Sequence, residues 1–350
     1  MDLQALNAPR WMQAGPHGFY EAWYVVASDP RSGLGLWLRY AVDRDEKGAD
    51  TFSIWGSWFE GDRSFALRNV MPAAAIGRTG VRFGAAELAD EICTGEVEGG
   101  GHSLRWRLRF GQGAPPDADF VPRWLQPVAR LKGSGFLLPH PAGTVSGAVE
   151  VDGRIVDLVR VPAGQAHLWG KQRYPSWAWA RCNAFAEDPD ASIDLIDVEG
   201  PAGVRVPLFT LRYRGQVHRF GEALQIARCR SVIASPAWHF SASDNTLAID
   251  GVARAPLEQM VQVQYADPDG SLHHCQNSEL AHMEIRVRTR ALPGAPWRPE
   301  TTLTSKSAAC LEFCGRVTDP RVERMLVTEA ASPTSFVEQK EARTSRSVAS

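Results

Sequence analysis

Residues 104–110 read LRWRLRF, with Leu104, Trp106, Leu108 and Phe110 alternating against Arg105, Arg107 and Arg109. An extended chain turns successive side chains to opposite faces, so this period of two specifies a strand with one buried and one wet face. Met283, Ile285 and Val287 alternate in the same way with Glu284, Arg286 and Arg288. Asp-Gly sits between alternating arms in VEVDGRIVDLV (149–159) and LAIDGVARA (247–255), which is the sequence signal of a two-residue hairpin turn. YADPDGSLHHC (265–275) has the same form with a longer turn. Pro and Gly punctuate the intervals, as in GQGAPPDAD (111–119), LPHPAG (138–143) and LPGAPWRP (292–299). Helical signals are confined to AAELADEI (85–92) and the segment after Pro320. Many short strands between tight turns make the chain all-β.

The strand-like segments pause at EDPDASIDLIDVEGPAG (187–203), which divides the chain into two β domains, residues 1–200 and 201–330. Ser, Thr, Glu and Lys then dominate, and residues 331–350 are expected to be a disordered tail. No repeat of fixed period links the two halves.

Hydrophobic residues make up 44% of the 350 and charged residues 22%, an ordinary globular balance. The 38 basic and 40 acidic residues nearly cancel, so no nucleic-acid partner and no anionic membrane surface is implied. No apolar run approaches the ~20 residues of a transmembrane segment. The opening MDLQALNAPRWMQAG lacks the layout of a secretory leader. Six cysteines (Cys93, Cys182, Cys229, Cys275, Cys310, Cys314) are not a disulfide framework in so long a chain, and a reduced cytoplasmic protein is expected. On a strand Cys310 and Cys314 would stand about 13 Å apart, beyond disulfide reach, and are read as small buried hydrophobes. Adjacent His273 and His274 point to opposite faces, which argues against a metal site with Cys275 and His282. With no GxGxxG turn, phosphate loop or Gly-x-Ser-x-Gly elbow, no cofactor is expected.

The densest chemistry lies in HLWGKQRYPSWAWARCNAF (167–185). On strands, His167 shares a face with Trp169, and Trp177, Trp179, Arg181 and Asn183 share another. The indoles either pack a core or wall a cavity for an apolar ligand, steadying developing positive charge. A buried Arg181 needs a partner. Glu21, on one face with Trp23, is the natural mate. It serves either as a structural ion pair or as a carboxylic acid of raised pKa that protonates an alkene or carbonyl. His167 is a hydrogen-bonded structural residue or a general base. Tyr174, in KQRYPS, is a solvated loop tyrosine or reaches a cavity mouth.

FYEAWYVV (19–26), GLWLRYAV (35–42), FSIWGSWFEGD (52–62), the Trp-Gly/Trp-x-Trp/Cys-Asn pattern of 167–185 and CLEFC (310–314) together resemble the tocopherol cyclase-like and hydroxyneurosporene synthase-like proteins, above all their bacterial members. The resemblance spans roughly residues 19–315. It implies two tandem lipocalin-like antiparallel β-barrels. It also implies a cofactor-free cyclase, hydratase or isomerase acting on a hydrophobic, isoprenoid- or polyketide-like small molecule in an aromatic-lined barrel cavity. Glu21, His167, Arg181 and Asn183 would supply polarity and proton transfer, and Trp23, Trp169, Tyr174, Trp177 and Trp179 the walls. A non-catalytic carrier or sensor of a hydrophobic ligand is the alternative, and a homodimer is compatible with either.

Overall fold

Leu104, Trp106 and Leu108 are buried and Arg105, Arg107 and Arg109 exposed along one strand, as their alternation requires. The computed structural model describes residues 3–61, 63–72, 80–118, 120–317, 319–324 and 326–329. The expected tail from 331 lies outside the described residues.

The protein is nearly all β. A first sheet contains β1 (Phe19–Asp29), β2 (Leu34–Arg44), β3 (Asp50–Glu60), β4 (Arg63–Met71), β5 (Val81–Phe83), β6 (Ala86–Leu88), β7 (Ile92–Gly99), β8 (His102–Phe110), β9 (Gly135–Val151) and β10 (Arg154–Gly170). A second contains β11 (Trp177–Cys182), β12 (Ser192–Glu199), β13 (Arg205–Tyr213), β14 (Gln216–Phe220), β15 (Arg230–Ala234), β16 (Ala237–Ser243), β17 (Leu247–Arg254), β18 (Val261–Ala266), β19 (Leu272–Thr289), β20 (Arg298–Gly315) and β21 (Glu323–Arg324). The last strand, β22 (Leu326–Glu329), returns to the first sheet parallel to β4, so each sheet has 11 strands. Among the described residues helix is limited to short pieces, including α1 (Leu3–Asn7), and no helix is long and apolar enough to cross a membrane.

Both sheets follow one plan. β1 to β4 step outward as a meander, and β10 comes back to the free side of β1, followed by β9, β8, β7, β6 and β5. Likewise β11 to β14 step outward and β20 comes back to β11, followed by β19, β17, β16 and β15. The architecture is thus duplicated although no repeat is visible in the sequence. The first sheet is rolled: the Asn69 side chain on β4 bonds both the amide and the carbonyl of Glu98 on β7, at 2.8 and 3.0 Å. Among the described residues no backbone ladder closes that gap, so the closed barrel of the expectation is observed only as a rolled sheet.

The chain changes sheets between Gly170 and Trp177 rather than near residue 200. The break read at 187–203 contains β12 and its turn into β13, inside the second sheet. The Asp152-Gly153 turn forms as expected, with φ of 50° and 80° at its two residues. LAIDGVARA does not turn; it is the continuous strand β17. Its Gly251 exists for close approach, because a Cβ there would fall 2.6 Å from the ring of Phe240.

Three apolar clusters result. One fills the first roll (Trp23, Val25, Leu38, Trp58, Trp106) and one the second (Ala178, Ala180, Phe209, Trp238, Leu311). The third is a seam where the outer faces of the sheets meet, containing Tyr24, Trp37, Trp55, Trp179, Val263 and Tyr265. Strands at the seam are covered on both faces, which is why every residue of β1 is buried and its sequence runs apolar without alternation.

Candidate functional site

The residues singled out from sequence separate into two groups. Glu21, Trp23, His167 and Trp169 meet at one end of the first roll, beneath the N-terminal segment. Both Glu21 and His167 are fully buried, with His167 Nε2 2.7 Å from Glu21 Oε1 and His167 Nδ1 2.6 Å from the Leu6 carbonyl. The Glu21 carboxylate also accepts the amides of Arg10 (2.7 Å) and Trp11 (2.8 Å). Trp23 stacks on the imidazole with ring centres 4.5 Å apart and donates its indole N–H to the Asn7 carbonyl. All these partners belong to the protein itself, so the group serves as a latch for residues 6–11.

Trp177, Trp179, Arg181 and Asn183 do share a face, but it looks into the seam and is packed. The face of β11 toward the second roll carries Ala178, Ala180 and Cys182 instead. Trp179 meets Tyr24 edge-on at 5.4 Å. The Arg181 guanidinium lies against Gly164, donating to the Pro141 and Ala163 carbonyls, and Asn183 donates to those of Gly143 (3.0 Å) and Ala163 (3.2 Å). Arg181 pairs with Asp194 at 3.9 Å, not with Glu21. The first sheet therefore occupies the space beside Trp179, Arg181 and Asn183, whereas Trp177 packs on Tyr265 and His273 of the second sheet. Tyr174 is on the surface, 39% exposed, beneath Lys132.

Farther along the same seam the packing leaves polar groups unanswered. Register places Trp177, Cys314 and Cys275 in one row across β11, β20 and β19, and Trp179, Glu312 and Asn277 in the next. Cys275 and Cys314, directly opposed, form a disulfide, so Cys314 is not the free hydrophobe expected and the fully reduced chain is corrected. Cys310 is free and buried, and burial pushes its thiol well above the usual range, keeping it an inert S–H. Glu312 accepts the indole N–H of Trp177 (2.6 Å) and the hydroxyl of Tyr265 (3.4 Å); burial raises its pKa. Glu279 sits where β19 bulges between Ser278 and Ala281, which re-aims its side chain. It is fully buried, and neither carboxyl oxygen has a nitrogen or oxygen partner among the described residues; the Cys310 thiol is its polar neighbour. Burial pushes Glu279 up to about 8. Both amide atoms of Asn277, 1% exposed, are also without hydrogen-bond partners among the described residues.

Residues 136–315 match the family described as tocopherol cyclase-like, just over half of the chain. The chain belongs to this family. An uncharacterised protein of Mycobacterium tuberculosis strain H37Rv is 26% identical over 304 residues, covering 83% of this chain and 87% of its own length. Among solved structures, an AttH-type protein from Nitrosomonas europaea has a TM-score of 0.50 at 13% identity, over 88% of this chain and 96% of its own. CghA, solved with Sch210972, has a TM-score of 0.53 at 10% identity, over 86% and 89% of the two chains. Those likenesses show a shared fold.

The stretch typical of tocopherol cyclase-like proteins runs from β9 to β20, so it includes Glu279, Cys310 and Glu312 as well as His167 and the tryptophans of β11. Sequence reasoning does not single out either acid and uses CLEFC only for its cysteines and the family resemblance. The available signal was a lone charge inside an apolar run, Glu312 in AACLEFC and likewise Arg39 in GLWLRYAV, which marks a strand buried on both faces.

The seam opens to solvent through a cleft of about 240 Å³ lined by Arg39, Trp55, Arg68, Arg173, Tyr265 and Asp267. Tyr265 links it to Glu312, and Asn277 stands opposite Glu312 in the ladder. Glu279 lies two residues beyond Asn277, roughly 7 Å along an extended chain.

Proposed function

We propose that the seam is a reaction chamber in which a hydrophobic small molecule, isoprenoid- or polyketide-like, undergoes cyclisation, hydration or isomerisation without a cofactor. Glu279 is the proton donor. The two rolled sheets, read as lipocalin-like barrels, act as rigid walls, and the chemistry lies between them rather than inside either.

One observation carries this: a carboxyl group with no exposure, no nitrogen or oxygen partner among the described residues and a pKa of about 8. At neutral pH such a group is a protonated acid in apolar surroundings, suited to general acid catalysis, which is worth roughly 10²–10⁴ in rate. It gives its proton to an alkene carbon or carbonyl oxygen. Ring closure, water capture or loss of a neighbouring proton then quenches the cation and returns the proton, so no electron donor or acceptor is needed. Trp37 and Trp179 belong to the apolar cluster of the seam, and an indole face attracts a desolvated cation by up to ~2 kcal/mol. Family membership supports the reaction class.

The test begins with native mass spectrometry of freshly purified protein to find a retained lipid. That compound and its unsaturated precursors are then offered to wild type and to Glu279→Gln. The reading expects turnover by wild type and at least a hundredfold loss in the variant, with ligand retention unchanged. Retention without any turnover in wild type would make the protein a carrier. Equal rates in both proteins would remove Glu279 from the chemistry.

A further inference from the structure

Two arginines in the mouth of the seam make no contact ion pair among the described residues; Asp43 attracts Arg68 and Glu312 attracts Arg39 only from beyond contact distance. Arg39 on β2, Trp55 on β3 and Arg68 on β4 stand directly opposite one another in consecutive ladders. The two guanidinium groups therefore flank one indole, their carbons 5.5 and 4.8 Å from its ring centre. Arg39 also lies 4.3 Å from the ring centre of Tyr265 and is only 5% exposed. The Nε of each arginine is buried without a hydrogen-bond partner. Neither forms an ion pair among the described residues.

The other charges around the cleft are already engaged. Arg173 takes Asp267 at 2.8 Å and Asp43 at 3.4 Å. Arg44 takes Asp50 at 2.7 Å. Asp45 accepts the amides of Lys47 and Ala49 at 2.8 Å. Burial raises the pKa of Glu312, behind Tyr265, while the indole of Trp177 and the charges of Arg39 and Arg173 oppose that rise. A buried guanidinium without a contacting counter-charge, such as Arg39, is costly, and the partly buried Arg68 beside it adds to that cost. An anion in the cleft that reaches both groups past the Trp55 ring relieves both costs, and guanidinium forks match a carboxylate in shape and charge.

We propose that Arg39 and Arg68 clamp the head group of the substrate, which is a hydrophobic molecule ending in a single carboxylate. This rests on the seam being a ligand chamber. Asp43, Asp45 and Asp267 ring the same cleft, so a doubly charged phosphate is disfavoured and a monoanion preferred. With its head on the Trp55 row, the apolar remainder runs past Tyr265 toward Glu312 and Asn277.

Calorimetric titration of the full chain with farnesoic acid and with farnesol, which share one skeleton, tests the clamp. The acid is expected to bind at least tenfold more tightly, with the difference shrinking as salt is added. Arg39→Gln and Arg68→Gln are each expected to weaken acid binding at least tenfold and leave farnesol unchanged; Arg68→Lys retains part of the preference. Arg68 is partly exposed, so its variants report even if Arg39→Gln fails to fold. Equal affinity for acid and alcohol, or a preference that survives both substitutions, overturns the clamp but leaves the chamber standing. If neither probe binds, the clamp falls together with the reading of the seam.

Discussion

His167 and Glu21 share a contact of 2.7 Å in a region from which water is excluded, and the other nitrogen of the imidazole is 2.6 Å from the Leu6 carbonyl. A carbonyl only accepts, so Nδ1 carries a proton, and a second proton must lie between Nε2 and the carboxyl oxygen. Glu21 spends its remaining capacity on the amides of Arg10 and Trp11. The pair thus ties the N-terminal segment to the first sheet. Breaking one partner of a buried, hydrogen-bonded pair costs roughly 3–5 kcal/mol. Glu21→Gln should lower unfolding stability by about that much and speed hydrogen exchange at the Arg10 and Trp11 amides. An unchanged denaturation midpoint would show that the latch contributes nothing.

Glu279 makes stability depend on pH in a direction opposite to that of most carboxylates. Its folded pKa is about 8, against an ordinary value of 4.5, because burial disfavours the charge. Below about 4.5 the folded and unfolded forms both hold the proton, and no penalty exists. Between about 4.5 and 8 only the unfolded chain releases it, so stability is lost steadily as pH rises, by a few kcal/mol in all. Above 8 the loss levels off. Glu279→Gln removes the titration. Denaturation midpoints of wild type should therefore fall relative to the variant from pH 5 to pH 8. Parallel curves would place the carboxyl in a far more solvated setting than the structure gives it.

Legibility in the sequence followed solvent. Strands with one wet face, such as LRWRLRF and MEIRVR, announced themselves because alternation records the boundary between core and water. Strands inside the seam have no wet face, so the common face of Trp177, Trp179 and Arg181 is legible in the sequence, but the sheet that packs against Trp179 and Arg181 is not. Nothing local distinguishes a roll interior from the outside of a roll covered by a second roll. Glu21 and Arg181 illustrate the same limit. Each was recognised as a buried charge needing a partner, but they were paired with each other, and the structure gives each its own partners on different faces. Glu279 was missed because a bulge, invisible in sequence, turns it inward. The disulfide was missed for a related reason: Cys275 and Cys314 are 39 residues apart, and only the β19–β20 register opposes them.

That register yields its own test. A cross-link closing a loop of this length stabilises by about 4 kcal/mol if it acts by restricting the unfolded chain. Cys314→Ser should lose most of that, whereas Cys310→Ser should lose only a packing increment of about 1 kcal/mol. Alkylation of the unfolded, unreduced protein followed by peptide mass mapping should find Cys93, Cys182, Cys229 and Cys310 labelled, and Cys275 and Cys314 protected. Six labelled cysteines would refute the cross-link.

Gly164 and Arg181 provide the sharpest test of the seam itself. Any Cβ at residue 164 would occupy the space of the Arg181 guanidinium, which reaches across β10 to the Pro141 and Ala163 carbonyls. Gly164→Ala should therefore expel the guanidinium, strand those carbonyls and cost roughly 2–4 kcal/mol. Arg181→Met should also destabilise, because it removes the same hydrogen bonds while leaving Asp194 with Arg212 at 2.8 Å. The two losses have one origin, so the double variant should be less destabilised than their sum by 1 kcal/mol or more. Urea denaturation of the four proteins measures this directly. Strict additivity would mean that residue 164 and the guanidinium do not touch, and that the sheets do not meet where the structure brings them together.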